Sequence, residues 1–254
     1  MAITKQQSNA ASHAEANAHR PANLPAWIDW HEFAGPEPLA TELSTVVTEA
    51  LQSGVIDHEQ ATLIVSGGST PLPFFKALSQ KTLLWDKVTI TLADERFVPT
   101  TDPDSNERLV RQHLLINNAI AARFVPLYRQ GESVAQVAAI AAEEINRMHR
   151  PLDVLILGMG NDGHTASLFP DSPLLAHALQ PECEDACLHM QPQQAPHSRI
   201  TLTYPVLAAC RKIILHISGA EKLATLTRAL SSTDELVMPI RAFLKRPMSI
   251  YWSK

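Results

Sequence analysis

Asp162 and His164 stand two residues apart in the stretch GMGNDGHTASLFP, Gly158 to Pro170, among three of the chain's nine glycines. Imidazole is the side chain whose ordinary pKa lets it accept a proton near neutral pH, and an adjacent carboxylate can fix its tautomer. The pair therefore reads as a water-activating couple. The plainer alternative is an aspartate that caps a turn and a histidine that satisfies a backbone carbonyl. A glycine-rich turn placed directly after the buried run DVLIL favours chemistry. Gly158, Gly160 and Gly163 also satisfy the G-x-G-x-x-G dinucleotide spacing, but Pro170 and Pro173 interrupt the long helix that such a fingerprint needs. The motif also lies late in the chain, where it cannot open a first βαβ unit.

Three further turns carry chemically useful groups. In SGGSTP, Ser66 to Pro71, the paired Gly67 and Gly68 let backbone N–H groups point inward, Ser69 and Thr70 add hydroxyls, and a helix N-terminus follows. Phosphate suits such a site. No Gly-Lys-Ser/Thr follows, so nucleotide hydrolysis is disfavoured. In DER, Asp94 can orient substrate hydroxyls and Arg96 can meet an anion with forked donors; otherwise the segment is a solvated charged turn. Arg199 in RITLT and Lys222 in SGAEK are single cations open to the same two readings. No metal site is expected. Asp162 and His164 offer two ligands without a third, and Cys183, Cys187 and His189 read as an incidental grouping.

These turns need strands to hold them. Apolar residues recur at helical spacing from Leu39 to Leu51, with Gly54 as the expected stop. ATLIV runs into Gly67 and Gly68, after which Pro71 and Pro73 open a helix. KVTITLADERFVP predicts a buried strand ending in a charged turn, followed by a helix that Asp104 or Ser105 caps. SVAQVAAIAAEEINRM predicts a helix, and DVLILGMG a strand buried on both faces, hence parallel pairing. The Pro/Cys-rich stretch from Pro170 to Pro196 predicts a long surface excursion. RITLT, KIILHIS and MSIYW then read as strands, with GAEKLATLTRAL and MPIRAFLK as helices. The alternation predicts an α/β fold: a mostly parallel sheet with helices on both faces and ligands at the carboxyl ends of its strands.

Composition narrows the function. The 254 residues, 45% of them hydrophobic, fit one α/β domain over residues 24–254 after a polar, disordered tail at 1–23. A net charge of −5 and the lack of any basic run speak against a nucleic-acid partner. No apolar stretch approaches the roughly 20 residues that cross a bilayer, so no membrane association is expected. The tail lacks the apolar core of a secretory signal. Three cysteines are too few for a disulfide framework, and a cytoplasmic location is expected.

SGGSTP, LADERFVPTTDPDSNERLVRQHLL, LILGMGNDGHTASLFP, RITLT and SGAEK, in that order, resemble the 6-phosphogluconolactonase family from about Leu63 to the C-terminus. The resemblance implies the fold of glucosamine-6-phosphate deaminase and ribose-5-phosphate isomerase, and hydrolysis of a sugar-phosphate lactone in the oxidative pentose phosphate pathway. It implies His164 as general base and Asp162 and Asp94 as its polar support. Gly67, Gly68, Ser69, Thr70, Arg96, Gly160, Arg199 and Lys222 would be the phosphate and sugar contacts. No cofactor is called for, and a monomer or small homo-oligomer is expected. Two other readings share the fold. One is a sugar-phosphate isomerase or deaminase; the deaminases carry a glutamate five residues after the histidine, in GHIAFNE, where this chain has Phe169. The other is a non-catalytic sugar-phosphate sensor, for which no helix-turn-helix module or basic segment is visible.

Overall fold

Strands whose residues are apolar on both sides of the pleat can be buried only between two layers, and two such strands form the centre of this molecule. The computed structural model describes residues 18–193 and 195–254. In chain order these form β1 (Ile28–Phe33), α1 (Pro36–His58), β2 (Ala61–Val65), α2 (Leu72–Ser79), β3 (Val88–Leu92) and β4 (Asp94–Arg96). There follow α3 (Asn106–His113), β5 (Arg123–Val125), α4 (Val134–Asn146), β6 (Val154–Leu157), α5 (Leu175–Ala178) and β7 (Cys187–Met190). The chain ends through β8 (Arg199–Leu202), α6 (Tyr204–Ala208), β9 (Lys212–Ser218), α7 (Ala220–Ser231), α8 (Arg241–Leu244) and β10 (Met248–Ser253).

Seven strands make one sheet in the order β1-β10-β9-β6-β2-β3-β5. Every neighbouring pair is parallel. All residues of the central β2 and β6 are buried, with Ile64 beside Leu155 and Ile156 beside Ile214. Helix α1 packs against β1, β2, β6 and β10, and α7 against β9. The expected α/β architecture with a mostly parallel sheet is the observed one. A second, antiparallel sheet in the order β4-β8-β7 lies outside it and is packed by α4.

Four elements differ from the sequence reading. Helix α1 does not stop at Gly54 but continues to His58 and ends on Glu59 at φ 60°. A Cβ at Gly54 would lie 2.7 Å from Asp153 Oδ1, so the glycine marks a close helix-to-strand approach. Asp94–Arg96 is not a free charged turn but the strand β4, paired with β8. The stretch from Pro170 to Pro196 is no surface excursion: it contains α5 and β7, and Cys183, Ala186, Cys187 and Met190 are buried. MPIRAFLK yields only the four-residue α8. Of the tail read over 1–23, residues 1–17 lie outside the described residues, while the His19 ring sits 2.6 Å from Glu32 and Pro21 is buried.

Candidate active site

Because β2, β3, β6 and β9 run parallel, the turns that leave their carboxyl ends gather along one edge of the sheet. They enclose an open cleft with a cavity volume of about 320 Å³. Nine of the eleven site residues named from sequence line it: Gly67, Gly68, Ser69, Thr70, Asp94, Arg96, Gly160, His164 and Lys222. Asp162 is not in the lining but stands behind His164. Arg199 is not in it either; its Nη1 donates to the carbonyls of Pro196 and His197.

The loop after β6 is folded on itself. Gly160 N–H donates to His164 O at 2.8 Å, and Thr165 Oγ1 donates to Gly158 O at 2.8 Å. The His164 Nδ1 to Asp162 Oδ1 separation is 2.6 Å, and His164 N–H donates to the same oxygen at 3.1 Å. Nε2 is thereby left as the ring nitrogen free to take a proton. Burial alone would raise the Asp162 carboxyl, but hydrogen bonding to the His164 ring, its charge and the His164 N–H overcome that and hold it below its ordinary value. The Phe169 ring covers the imidazole with centroids 4.2 Å apart. A Cβ at Gly160 would fall 2.1 Å from His164 Nδ1 and 2.6 Å from Asp162 Oδ1, so no other residue leaves room for the pair. Ala166 is held at φ 48°, a left-handed conformation costing about 1 kcal/mol or more for a residue with a side chain.

Residues that the sequence reading did not single out tie these loops together. Ser167 Oγ donates to Asp94 Oδ2 at 2.6 Å, and Ser167 N–H donates to Thr201 Oγ1 at 3.2 Å. Glu95 is fully buried and accepts from Arg96, Asn106 and Glu107 N–H at 2.7, 2.8 and 2.7 Å and from Ser105 Oγ at 3.1 Å. Burial pushes its carboxyl up to about 7 against those donors. Its carboxyl thus joins β4 to the N-terminus of α3, which Ser105 rather than Asp104 caps through Arg108 N–H at 3.2 Å. Asn106, in the cleft lining, donates Nδ2 to Asp94 O at 2.9 Å. The second acid of DERFVP, Glu95, and an Asn at the next helix start are the available signals.

His216, on β9, is a further buried lining residue. Burial pushes it down to about 4, its Nδ1 has no partner among the described residues, and Phe74 meets its ring edge-on at 6.3 Å. Two cations face the cleft in fixed positions. Arg96 Nη1 donates to Asp104 O, and Lys222 Nζ to Asn161 Oδ1. Asn161 is itself anchored, donating Nδ2 to Glu221 Oε1 and accepting Arg228 Nη2 at its carbonyl, each at 2.6 Å. Cys183 does not meet Cys187 or His189 but the His177 ring, at 3.6 Å. The arrangement offers a histidine base at one wall and a cradle of N–H, hydroxyl and cationic donors at the other. Such a cleft suits hydrolysis of an anionic ester or lactone.

Comparison with known proteins agrees. Residues 34–252 match the family model described as glucosamine-6-phosphate isomerases/6-phosphogluconolactonase. A 6-phosphogluconolactonase of Pseudomonas aeruginosa is 45% identical over 229 residues, 90% of this chain and 96% of that protein. One from Rhizobium meliloti is 45% identical over 226 residues, 88% of this chain and 97% of that protein. Among solved structures, a 6-phosphogluconolactonase from Shewanella baltica superposes with a TM-score of 0.87 at 43% identity, covering 89% of this chain and 98% of its own.

Proposed function

The chain belongs to the glucosamine-6-phosphate isomerase/6-phosphogluconolactonase family, and from that membership and the cleft's geometry we propose that it hydrolyses 6-phospho-D-glucono-1,5-lactone to 6-phosphogluconate. The observation that carries the reading is the Asp162–His164 pair at 2.6 Å on the wall of a cleft whose other turns present anion donors.

In this reading His164 Nε2 takes a proton from water as the water oxygen bonds to C1 of the lactone. Asp162, hydrogen-bonded to the opposite ring nitrogen, stabilises the imidazolium that forms. The carbonyl oxygen becomes an oxyanion facing polar donors of the glycine turns. The C1 to ring-oxygen bond then breaks, and the imidazolium returns its proton to that oxygen, so acid and hydroxyl are released and the base is regenerated. Asp94, held by Ser167, orients substrate hydroxyls. The SGGSTP backbone and hydroxyls, with Arg96 and Lys222, receive the phosphate, and Arg199, buried beside Arg96 on the paired strand, adds positive charge from behind the lining.

Three free, buried cysteines and the absence of any described helix long and apolar enough to cross a membrane accord with action in a reducing cytoplasm on a diffusible substrate. The test is direct. Purified protein should accelerate lactone disappearance above the spontaneous rate in proportion to its concentration; a rate indistinguishable from the spontaneous one would remove the assignment.

A further inference from the structure

Away from the cleft, three side chains of different ligand chemistry converge. His177 Nε2 lies 2.8 Å from Asp185 Oδ2 and 3.6 Å from Cys183 Sγ, and the three atoms are all within 4.8 Å of one another. None of the three residues lines the cleft.

A thiol, an imidazole and a carboxylate together suggest a nucleophile with its base and orienting acid. The geometry excludes that. A relay needs the acid on one ring nitrogen and the thiol on the other, whereas here both approach Nε2. Nε2 shares a proton with the Asp185 carboxylate, while the Cys183 thiol donates to the Asp185 carbonyl at 3.8 Å, so no thiol–imidazole–acid relay is formed. The three side-chain donor atoms lie close enough together to share one cation. Thiolate, neutral imidazole and carboxylate are the donor set of zinc-class ions, and two anionic ligands neutralise a divalent charge.

The local chain is built to present them. His177 is in the last turn of α5, and Cys183 N–H donates to Gln180 O at 3.1 Å, closing the turn that brings the thiol back under the ring. The sulfur side is buried, while the His177 and Asp185 side chains are 45% and 54% exposed, which leaves a side open to water. We propose that His177, Cys183 and Asp185 form a zinc-class divalent-cation site with water in the fourth position, fastening the segment between α5 and β7. Binding replaces the S–H bond with a sulfur–metal bond and releases the thiol proton to solvent.

Cobalt(II) makes the site visible. The full-length protein, stripped with chelator and titrated with Co²⁺, should develop a thiolate-to-cobalt charge-transfer band that saturates at one equivalent and is displaced by Zn²⁺. Cys183→Ser should abolish the band, while Cys187→Ser and Cys210→Ser retain it. His177→Asn and Asp185→Asn, both exposed positions, should each weaken Co²⁺ binding by roughly ten-fold or more. Retained lactone hydrolysis in the stripped protein and in each variant shows that the fold and the cleft are intact and separates this site from the active one. Zn²⁺ should raise the thermal midpoint of the parent but not of Cys183→Ser. No saturable band, a band that survives Cys183→Ser, or a band lost with Cys187→Ser overturns the proposal.

Discussion

Arg96 on β4 and Arg199 on β8 stand directly opposite each other in antiparallel register. Opposed residues of such a pair project from the same sheet face, where like charges are destabilising. Burial first, and then the charge of Arg96, pull the Arg199 guanidinium below its ordinary range. Asp94, Asp104 and Glu95 offset part of that repulsion, and a phosphate held by Arg96 in the cleft would offset more of it. Charge-assisted hydrogen bonds of about 1.5–3 kcal/mol correspond to roughly ten- to hundred-fold in affinity. Arg96→Ala, Arg199→Ala and Lys222→Ala should therefore raise KM for the phosphorylated lactone by that order. Their effect on unphosphorylated gluconolactone, itself a much poorer substrate, should be small. Equal losses on both lactones would place these cations away from the phosphate.

The 2.6 Å contact between Asp162 and His164 makes a second, separable expectation. His164→Asn should lower kcat by about 10²- to 10⁴-fold with little change in KM, because only the base is removed. Asp162→Asn should also lower kcat. Its amide can donate to Nδ1, which drives the proton to Nε2 and leaves no lone pair for water. Near-parental kcat in His164→Asn, with the thermal midpoint unchanged, would mean that another group activates the water.

His216 provides a pH-dependence with a definite sign. Its folded value of about 4 lies below its ordinary 6.5, so the neutral ring is favoured by the fold. Above 6.5 the contribution is fully present; as pH falls from 6.5 toward 4 the unfolded chain gains a proton that the folded one refuses, and stability drops. The shift corresponds to at most about 3 kcal/mol. Glu95, raised from 4.5 to about 7, has the opposite slope: its buried carboxyl keeps a proton that the unfolded chain loses, so its contribution declines as pH rises through that window. The two slopes oppose each other in the parent. Denaturant unfolding of parent and His216→Phe at pH 7 and 4.5 separates them. The parent should lose stability relative to the variant by on the order of 2–3 kcal/mol on acidification, and a pH-independent difference would show that the ring is not kept neutral.

What could be read from the sequence, and what could not, follows from the range of the interactions. β2 and β6 announce themselves as unbroken apolar runs because both faces are covered, whereas the sheet's edges, IDWHEF in β1 and RFV in β5, are partly exposed and carry no such signal. Gly54 carries the local cost of glycine in a helix, and only the approach of Asp153, far along the chain, explains its presence. The same division holds in the cleft. Asp162 and His164 are near neighbours in one loop and were legible together. Ser167 and Asp94 are 73 residues apart, and their bond is created by the topology that brings the ends of β3 and β6 to one edge.

Phe169 separates lactone hydrolysis from the other chemistry of the family. Its ring packs on the His164 imidazole at 4.2 Å, in the position five residues on where the deaminase segment GHIAFNE carries a glutamate. Opening a sugar ring requires a proton to move between the ring oxygen and the anomeric hydroxyl, and a phenyl group cannot carry it. A lactone needs no such step, since C1 is already an electrophilic carbonyl. An apolar cover over the imidazole is compatible with water attack, because only Nε2 must reach solvent. The protein should therefore release no ammonia from glucosamine 6-phosphate under conditions in which it turns over the lactone. Phe169→Glu should depress lactone hydrolysis, because it sets a carboxylate against the base and removes the packing that holds the ring. Ammonia released stoichiometrically by the parent, without lactone hydrolysis, would assign the cleft to ring opening instead.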